Sequence, residues 1–381
     1  MRRASVVRTL GIGLAWLLAA GPAAHAALPW DIDTVVGGDL AGQPSLRLDG
    51  LDRPRLSYKD PLGLSYAAWT GTAWTFRRVD SGYAVGGYNS LALDSAGLPR
   101  IAYCDNTNTS NNSLKYASWT GTAWAVATVE SGVNSGRFAD LALDSLGKPR
   151  ISYWAYNNIL KYAAWTGAAW NIQTVDTHNF RATSLVLDSA GKPRISYSAG
   201  AVLGLKYAAW DGSAWTFQTV DKTSTVTGYE SSLALDSAGR PHISYYDFSN
   251  SRLRFAEWTG STWSLQTVDA SATIGSYTSL ALDAAGRPRI AYADLMGGDL
   301  RYAEWDGAAW HIETIAGGGG TYAYDPSLAI DSQGRSWIGY YAVSEGQYGD
   351  LKLAHQVPEP ATLALVALGA AGAVLRRRGR R

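Results

Sequence analysis

Seven aspartates, Asp49, Asp94, Asp144, Asp188, Asp236, Asp283 and Asp331, recur along the chain at steps of 44 to 50 residues. Each closes a short leucine- or isoleucine-bearing pattern, and the fullest form of the surrounding signature reads L-x-[LI]-D-x-x-G-x-P-x-I-x-Y. Between the aspartates stand six tryptophan pairs, each with four residues inside it: Trp69/Trp74, Trp119/Trp124, Trp165/Trp170, Trp210/Trp215, Trp258/Trp263 and Trp305/Trp310. A repeat of this length marks units that cannot bury a hydrophobic face alone and must pack on their neighbours.

One repeat shows what the unit is. Ser232-Leu233-Ala234-Leu235-Asp236 alternates small or polar residues with leucine, the period of a strand. Asp236-Ser237-Ala238-Gly239 is a tight turn, in which Asp bonds the following backbone and Gly tolerates positive φ. Pro241 opens a second strand, where its missing N–H does least harm. Residues 252–258 form a third strand, Thr259-Gly260-Ser261-Thr262 turns the chain, and residues 263–268 form a fourth. Four antiparallel strands make one blade, and blades arranged radially hide most sheet edges.

The seventh repeat runs to Leu351-Lys352-Leu353-Ala354-His355 and has no fourth strand. The missing piece stands at the other end: Trp30-Asp31-Ile32-Asp33-Thr34-Val35 matches Trp263-Ser264-Leu265-Gln266-Thr267-Val268. The expected architecture is therefore all-β, a seven-bladed β-propeller of four-stranded antiparallel blades over residues 27–356. The N-terminal strand completes the last blade and closes the ring.

The repeat also assigns most aromatics. Tyr58, Tyr103, Tyr153, Tyr197, Tyr245, Tyr292 and Tyr340 share one position of the second strand. A residue present in every blade at a fixed strand position is core before it is ligand, so these and the tryptophans are expected between blades. The seven turn aspartates serve turns, and Arg55, Arg100, Arg150, Arg194, His242 and Arg289 at the start of the second strand are expected to pair with them. Cys104, the only cysteine, cannot form an intramolecular disulfide and is expected to be a structural thiol.

Residues 1–26 read as a secretory leader. Arg2, Arg3 and Arg8 precede an apolar stretch, and Ala24-His25-Ala26 gives a small-x-small cleavage site after Ala26. At the other end, Val357-Pro358-Glu359-Pro360 precedes an apolar run to Leu375, then Arg376, Arg377, Arg378, Arg380 and Arg381. That order over 357–381 resembles the PEP-CTERM sorting signal of Gram-negative bacteria. The resemblance implies export, recognition by an exosortase near Pro358, Glu359 and Pro360, and transient tenure in the inner membrane. Fifteen apolar residues rise roughly 22 Å, short of a bilayer core of about 30 Å, which suits a segment destined for removal. The leader carries three Arg and no acid, and the tail five Arg and one Glu, so the part between holds six more acids than bases. An acidic exported domain without a basic cluster is a poor partner for nucleic acid.

Ligands are expected on one face. The first-to-second and third-to-fourth turns barely change, whereas the second-to-third and fourth-to-first connections vary, and these emerge together over the channel. Candidate binding residues there are Asp60, Asp105, Asp247 and Asp294, which end second strands, with Asn106, Tyr83, Tyr88, Asn89, His178 and Arg181. Asn179 and Phe180 lie beside them, and Tyr229, Glu230, Tyr277, Tyr322, Tyr324 and Asp325 precede later blades. Tyrosine faces, amides and carboxylates suit sugar hydroxyls and equally suit solvated loops. The inward aspartates also suggest, weakly, a Ca²⁺ site, which takes six to eight oxygens.

Three functions remain open on the sequence. Exosortase-sorted proteins accompany exopolysaccharide production, so the resemblance implies a non-catalytic glycan-binding protein of the cell surface or matrix. The W-[TD]-G-x-x-W hairpin is similar in style to propeller lectins, and Trp210-Asp211-Gly212-Ser213-Ala214-Trp215 resembles the sialidase Asp box without its spacing. A protein-docking platform is the alternative. A propeller glycosidase or polysaccharide lyase ranks lower: no carboxylate pair stands out of the repeat, and the histidines occur singly.

Overall fold

The computed structural model describes residues 28–38, 42–108, 111–132, 134–178, 181–200, 203–224, 226–271, 274–294, 296–318, 320–344 and 349–358. The expected leader with Ala26, the processing residues Glu359 and Pro360, and Asn179 and Phe180 lie outside these residues; Pro358 is exposed. Among the described residues no helix is long and apolar enough to cross a membrane.

The chain forms seven four-stranded sheets, six of them with strands in sequence order. Blade 5 is representative, with strands Thr227–Leu235, Pro241–Asp247, Arg252–Trp258 and Trp263–Asp269. Blade 7 takes its outermost strand, Trp30–Val36, from the N-terminus, antiparallel to Asp350–Gln356 with Asp33 opposite Leu353. The ring closes as the repeat predicts, and the variable connections share one face.

The core is divided among the blade interfaces. Leu64 and Tyr66 of blade 1, for example, pack with Leu91, Ile101 and Tyr103 of blade 2. Blade 7 meets blade 1 in the same way through Val35, Leu351 and Leu353 against Leu46, Leu56 and Tyr58. The seven second-strand tyrosines are all buried. The tryptophans are half-buried at the turn-side rim, and the second of a pair lies edge-on against the preceding blade, as Trp124 does against Tyr66 at 5.7 Å.

Two polar devices hold neighbouring blades together. Around the channel, a serine of six of the seven innermost strands accepts the leucine N–H of the next blade: Leu91 to Ser45, Leu141 to Ser90, Leu233 to Ser184, Leu280 to Ser232, Leu328 to Ser279 and Leu46 to Ser327. In blade 3 the carboxylate of Asp140 takes the place of the hydroxyl and accepts from Leu185 at 2.7 Å. Nearer the loop face, the acid ending a fourth strand accepts the hydroxyl of the next blade's core tyrosine and pairs with a third-strand cation. Asp176 with Tyr197 and Lys206, and Asp269 with Tyr292 and Arg301, are two cases. These acids escape a sequence reading because they look like ordinary strand-end residues.

The turn aspartates do what their spacing implies. Asp94 accepts the N–H groups of Ala96 and Leu98 on one oxygen and Arg100 on the other, at 2.6 Å. Arg55, Arg150 and Arg194 repeat the pairing, so no free basic ring faces solvent there. Cys104 is buried and donates to Asn106 Oδ1 at 3.0 Å, and burial pushes its thiol up to about 12.

Candidate functional site

Each innermost strand carries a β-bulge near the loop face, and the residue in the bulge has left-handed backbone: Gln43, Tyr88, Phe138, Ala182, Glu230, Tyr277 and Asp325, with φ between 39° and 53°. None is glycine, so each conformation costs about 1–2 kcal/mol. A bulge re-aims its side chain, and these seven line the channel mouth above a cavity of about 690 Å³. Repetition of a costly conformation at one position of every blade is an observation from which a function can be argued.

Three of the side chains brace their neighbours. Gln43 Oε1 accepts the Tyr88 N–H at 2.8 Å, Glu230 accepts the Tyr277 N–H at 2.5 Å, and the Asp325 carboxyl faces the Gln43 backbone N–H. The aromatic members line the cavity and pack in pairs: Tyr88 lies 4.6 Å from Phe138, and Tyr277 6.2 Å from Tyr324. Arg181 stacks over Tyr229 at 5.2 Å. Deeper in the channel Arg47 stands where the other blades have Ala or Val and donates to Leu46 O; burial lowers its pKa against the opposing charge of Asp140.

Glu230 and Asp325 line the channel cavity and are only partly exposed. Burial raises both; for Asp325 it acts with the Glu230 charge against the Gln43 amide, and its carboxyl reaches about 7. An acid raised in the folded state binds more protons folded than unfolded. Its contribution to stability therefore falls as pH rises between 3.8 and about 7. Asp325→Asn keeps the acceptor and removes the titration. Its unfolding midpoint is expected to change less than the wild type's between pH 5 and pH 8, and to exceed it at pH 8.

The structure brings Tyr88, Asn89, Arg181, Glu230, Tyr277 and Asp325 together around the channel mouth. The remaining expected residues sit farther out on the loop face. Asp60 is held by Arg78 at 2.7 Å and Ser65, Asp105 by Lys115 at 2.8 Å, and buried Asp247 by Ser224, Asn250 and Arg252. Asp294 accepts the Met296 and Gly297 N–H groups within its own turn. These four aspartates are thus spread among their blades. Among the described residues no group of three or more His, Cys, Asp or Glu is placed to hold a metal ion. Asn106 accepts the Cys104 thiol, His178 is exposed beside Asp176, Tyr83 is exposed near Lys59, and Tyr322 stacks on Tyr324. Gln43, Arg47, Phe138 and Asp140 belong to the site and were not expected. Arg47 and Asp140 were readable as breaks in the Ala and Ser columns of the aligned repeats.

Residues 356–380 match the PEP-CTERM protein-sorting motif. The chain thus carries the signal for export and sorting to the cell surface. No curated protein sequence matches the chain. Among solved structures, an ulvan lyase described as a new polysaccharide lyase family is similar over 84% of this chain and 95% of its own, with TM-score 0.58 and 12% identity. A protein of unknown function from Dyadobacter fermentans covers 86% of this chain and 99% of its own, with TM-score 0.51 and 12% identity. A mutant Aleuria aurantia lectin in complex with Fucalpha1-6GlcNAc covers 72% and 96%, with TM-score 0.50 and 14% identity. At such identities the likeness is one of fold: the chain is a seven-bladed propeller delivered by a PEP-CTERM signal.

Proposed function

We propose that this chain is a non-catalytic glycan-binding propeller of the cell surface or extracellular matrix. Its leader is removed after Ala26 and its tail by an exosortase, and its ligand is an exopolysaccharide bound at the channel mouth. The ring of left-handed bulge residues carries the reading. It holds aromatic side chains (Tyr88, Phe138, Tyr277) beside the Gln43 amide and the Glu230 and Asp325 carboxyls, with the Arg181 guanidinium next to it, on a closed scaffold. Aromatic faces stack on sugar rings and the polar groups fix hydroxyls, the usual composition of a small-molecule site. The exposed apolar residues of the loop face, Leu62, Tyr83, Tyr156, Phe248 and Met296, come from separate connections, which speaks against a single protein-docking patch. Similarity of fold to a lectin and to a polysaccharide lyase is compatible with a carbohydrate ligand and does not choose between binding and cleavage.

Residues 27–356 screened against a glycan array and the producing strain's exopolysaccharide, with and without Ca²⁺, are expected to bind. Tyr277→Ala is expected to weaken binding by about tenfold or more, the loss of one stacked face, while unfolding stays cooperative. Absence of binding to any glycan would move the assignment to protein docking.

Cleavage is the second reading, and the raised carboxyls of Glu230 and Asp325 favour it, since general acids are tuned in this way. Against it, Glu230 accepts the Tyr277 backbone N–H and Asp325 faces the Gln43 backbone N–H, bracing roles. New reducing ends or unsaturated sugars released from a bound polysaccharide, and lost in Asp325→Asn, would make the protein an enzyme.

A further inference from the structure

The outer rim of the ring carries a repeated clasp. The residue three places after the second tryptophan of a blade accepts the indole N–H of the corresponding tryptophan in the next blade. Gln173 takes Trp215 at 3.1 Å, Gln218 takes Trp263 at 2.8 Å, Gln266 takes Trp310 at 2.9 Å and Glu313 takes Trp30 at 2.8 Å. In blade 1 the position is Arg77, whose guanidinium instead covers Trp119 at 4.4 Å. In blade 2 it is Ala127, and Ala125 stands two places before it.

The two alanines leave a gap where the clasp would be. A groove of about 550 Å³ opens between blades 2 and 3, within the roughly 300–1,000 Å³ of small-molecule sites. Trp119, Trp165 and Trp170 line it with Tyr116 and Ser118. Among the described residues the Trp170 Nε1–H, Tyr116 hydroxyl and Ser118 hydroxyl have no hydrogen-bond partner, whereas the equivalent indoles of blades 4, 5, 6 and 7 are satisfied. The cations at the edge are engaged: Arg100 with Asp94 at 2.6 Å, and Lys148 with Thr166 O at 3.0 Å. The groove therefore offers indole faces and neutral hydrogen-bonding groups, with the Lys148 ammonium at its edge.

We infer that the blade 2–blade 3 groove is a second saccharide subsite, taking one neutral pyranose residue whose ring packs on indole and whose hydroxyl or ring oxygen accepts the Trp170 N–H. Stacking on an aromatic face with hydroxyls met by neutral donors is the chemistry that Trp119, Trp165, Trp170, Tyr116 and Ser118 provide. The subsite shares no residue with the channel mouth. A long polysaccharide engaging both places on one molecule would gain avidity without new contacts.

The test is Ala127→Gln, which supplies the absent clasp and fills the groove while leaving the mouth untouched. With ¹⁵N-labelled residues 27–356, the Trp170 indole resonance is followed during titration with methyl glycosides of neutral hexoses and 6-deoxyhexoses, and of uronic acids. A saturable shift with a neutral glycoside, weakened tenfold or more in Ala127→Gln and unchanged in Tyr277→Ala, is the expected result. Ala127→Gln should also unfold at a higher temperature than the wild type, so lost binding is separable from a damaged fold. Three results would overturn the inference: a Trp170 resonance unmoved by every neutral glycoside, binding unaltered by Ala127→Gln, or a shift with uronic acids alone. Failure at Trp170 with binding retained at Tyr277 would leave the channel-mouth reading standing.

Discussion

Asp221→Ala is expected to destabilise the folded protein by about 3–5 kcal/mol, the usual cost of removing one partner from a buried ion pair. Asp221 is 2% exposed and ends the fourth strand of blade 4. It accepts the Tyr245 hydroxyl at 2.6 Å, pairs with Arg254 of blade 5, and accepts the Thr223 N–H at 2.8 Å. Truncation leaves a guanidinium and a phenol facing each other in a dry interface, with Arg254 Nε already lacking a partner. Tyr245→Phe, which removes only the hydroxyl, should cost about 1 kcal/mol. Denaturant unfolding of the two variants checks both the size and the order. A loss under about 1 kcal/mol for Asp221→Ala would show that the blade interfaces depend on apolar packing alone. The fold itself supplies a comparison: Ala316 and Val36 occupy the acid's position in blades 6 and 7, and there the apolar clusters include Leu300, Ile338 and Tyr340 at one interface and Val35, Leu353 and Tyr58 at the other.

Deletion of residues 28–36 has the larger expected effect, loss of the cooperative monomer. The strand Trp30–Val36 pairs along Asp350–Gln356, and Val357 donates to Pro29 O at 2.9 Å beyond the ladder. Trp30 lies 5.2 Å from Tyr302 of blade 6 and clasps Glu313, while Val35 packs at the interface with blade 1. Without this strand, blade 7 keeps three strands and Asp350–Gln356 becomes an open edge. An open edge recruits other chains, and the lost contacts weigh heavily against a total stability of about 5–15 kcal/mol. Size-exclusion chromatography should show oligomers, and thermal unfolding should lose its single sharp transition. A synthetic peptide of residues 28–38 added in trans should restore the monomer by strand addition. A deleted protein that stays monomeric and unfolds at the wild-type midpoint would show that the ring does not need its closure.

Much of this molecule was legible in the chain because a propeller repeats its local chemistry. Asp236 and Gly239 make the same turn as Asp94 and Gly97, so comparing repeats separates structural residues from individual ones without any coordinates. The paired fates of the terminal segments followed from the same comparison, since a lone W-x-I-x-T-V strand at one end matches a blade lacking it at the other. Loop chemistry was harder to read. Asp60, Asp105 and Asp247 have the composition of ligand residues, but Arg78, Lys115 and Arg252 neutralise them inside their own blades.

The sequence by itself determined the blade count, the closure, the buried tyrosines, the turn aspartates and the sorting signal, because each depends on spacing or on contacts within one repeat. Only the tertiary structure decided which residues share a site. Gln43, Tyr88, Glu230, Tyr277 and Asp325 are tens of residues apart and meet because ring closure sets the innermost strands around one axis. The left-handed residue of each bulge is itself never glycine. The strain is borne by hydrogen bonds from neighbouring blades, which exist only once the ring has formed.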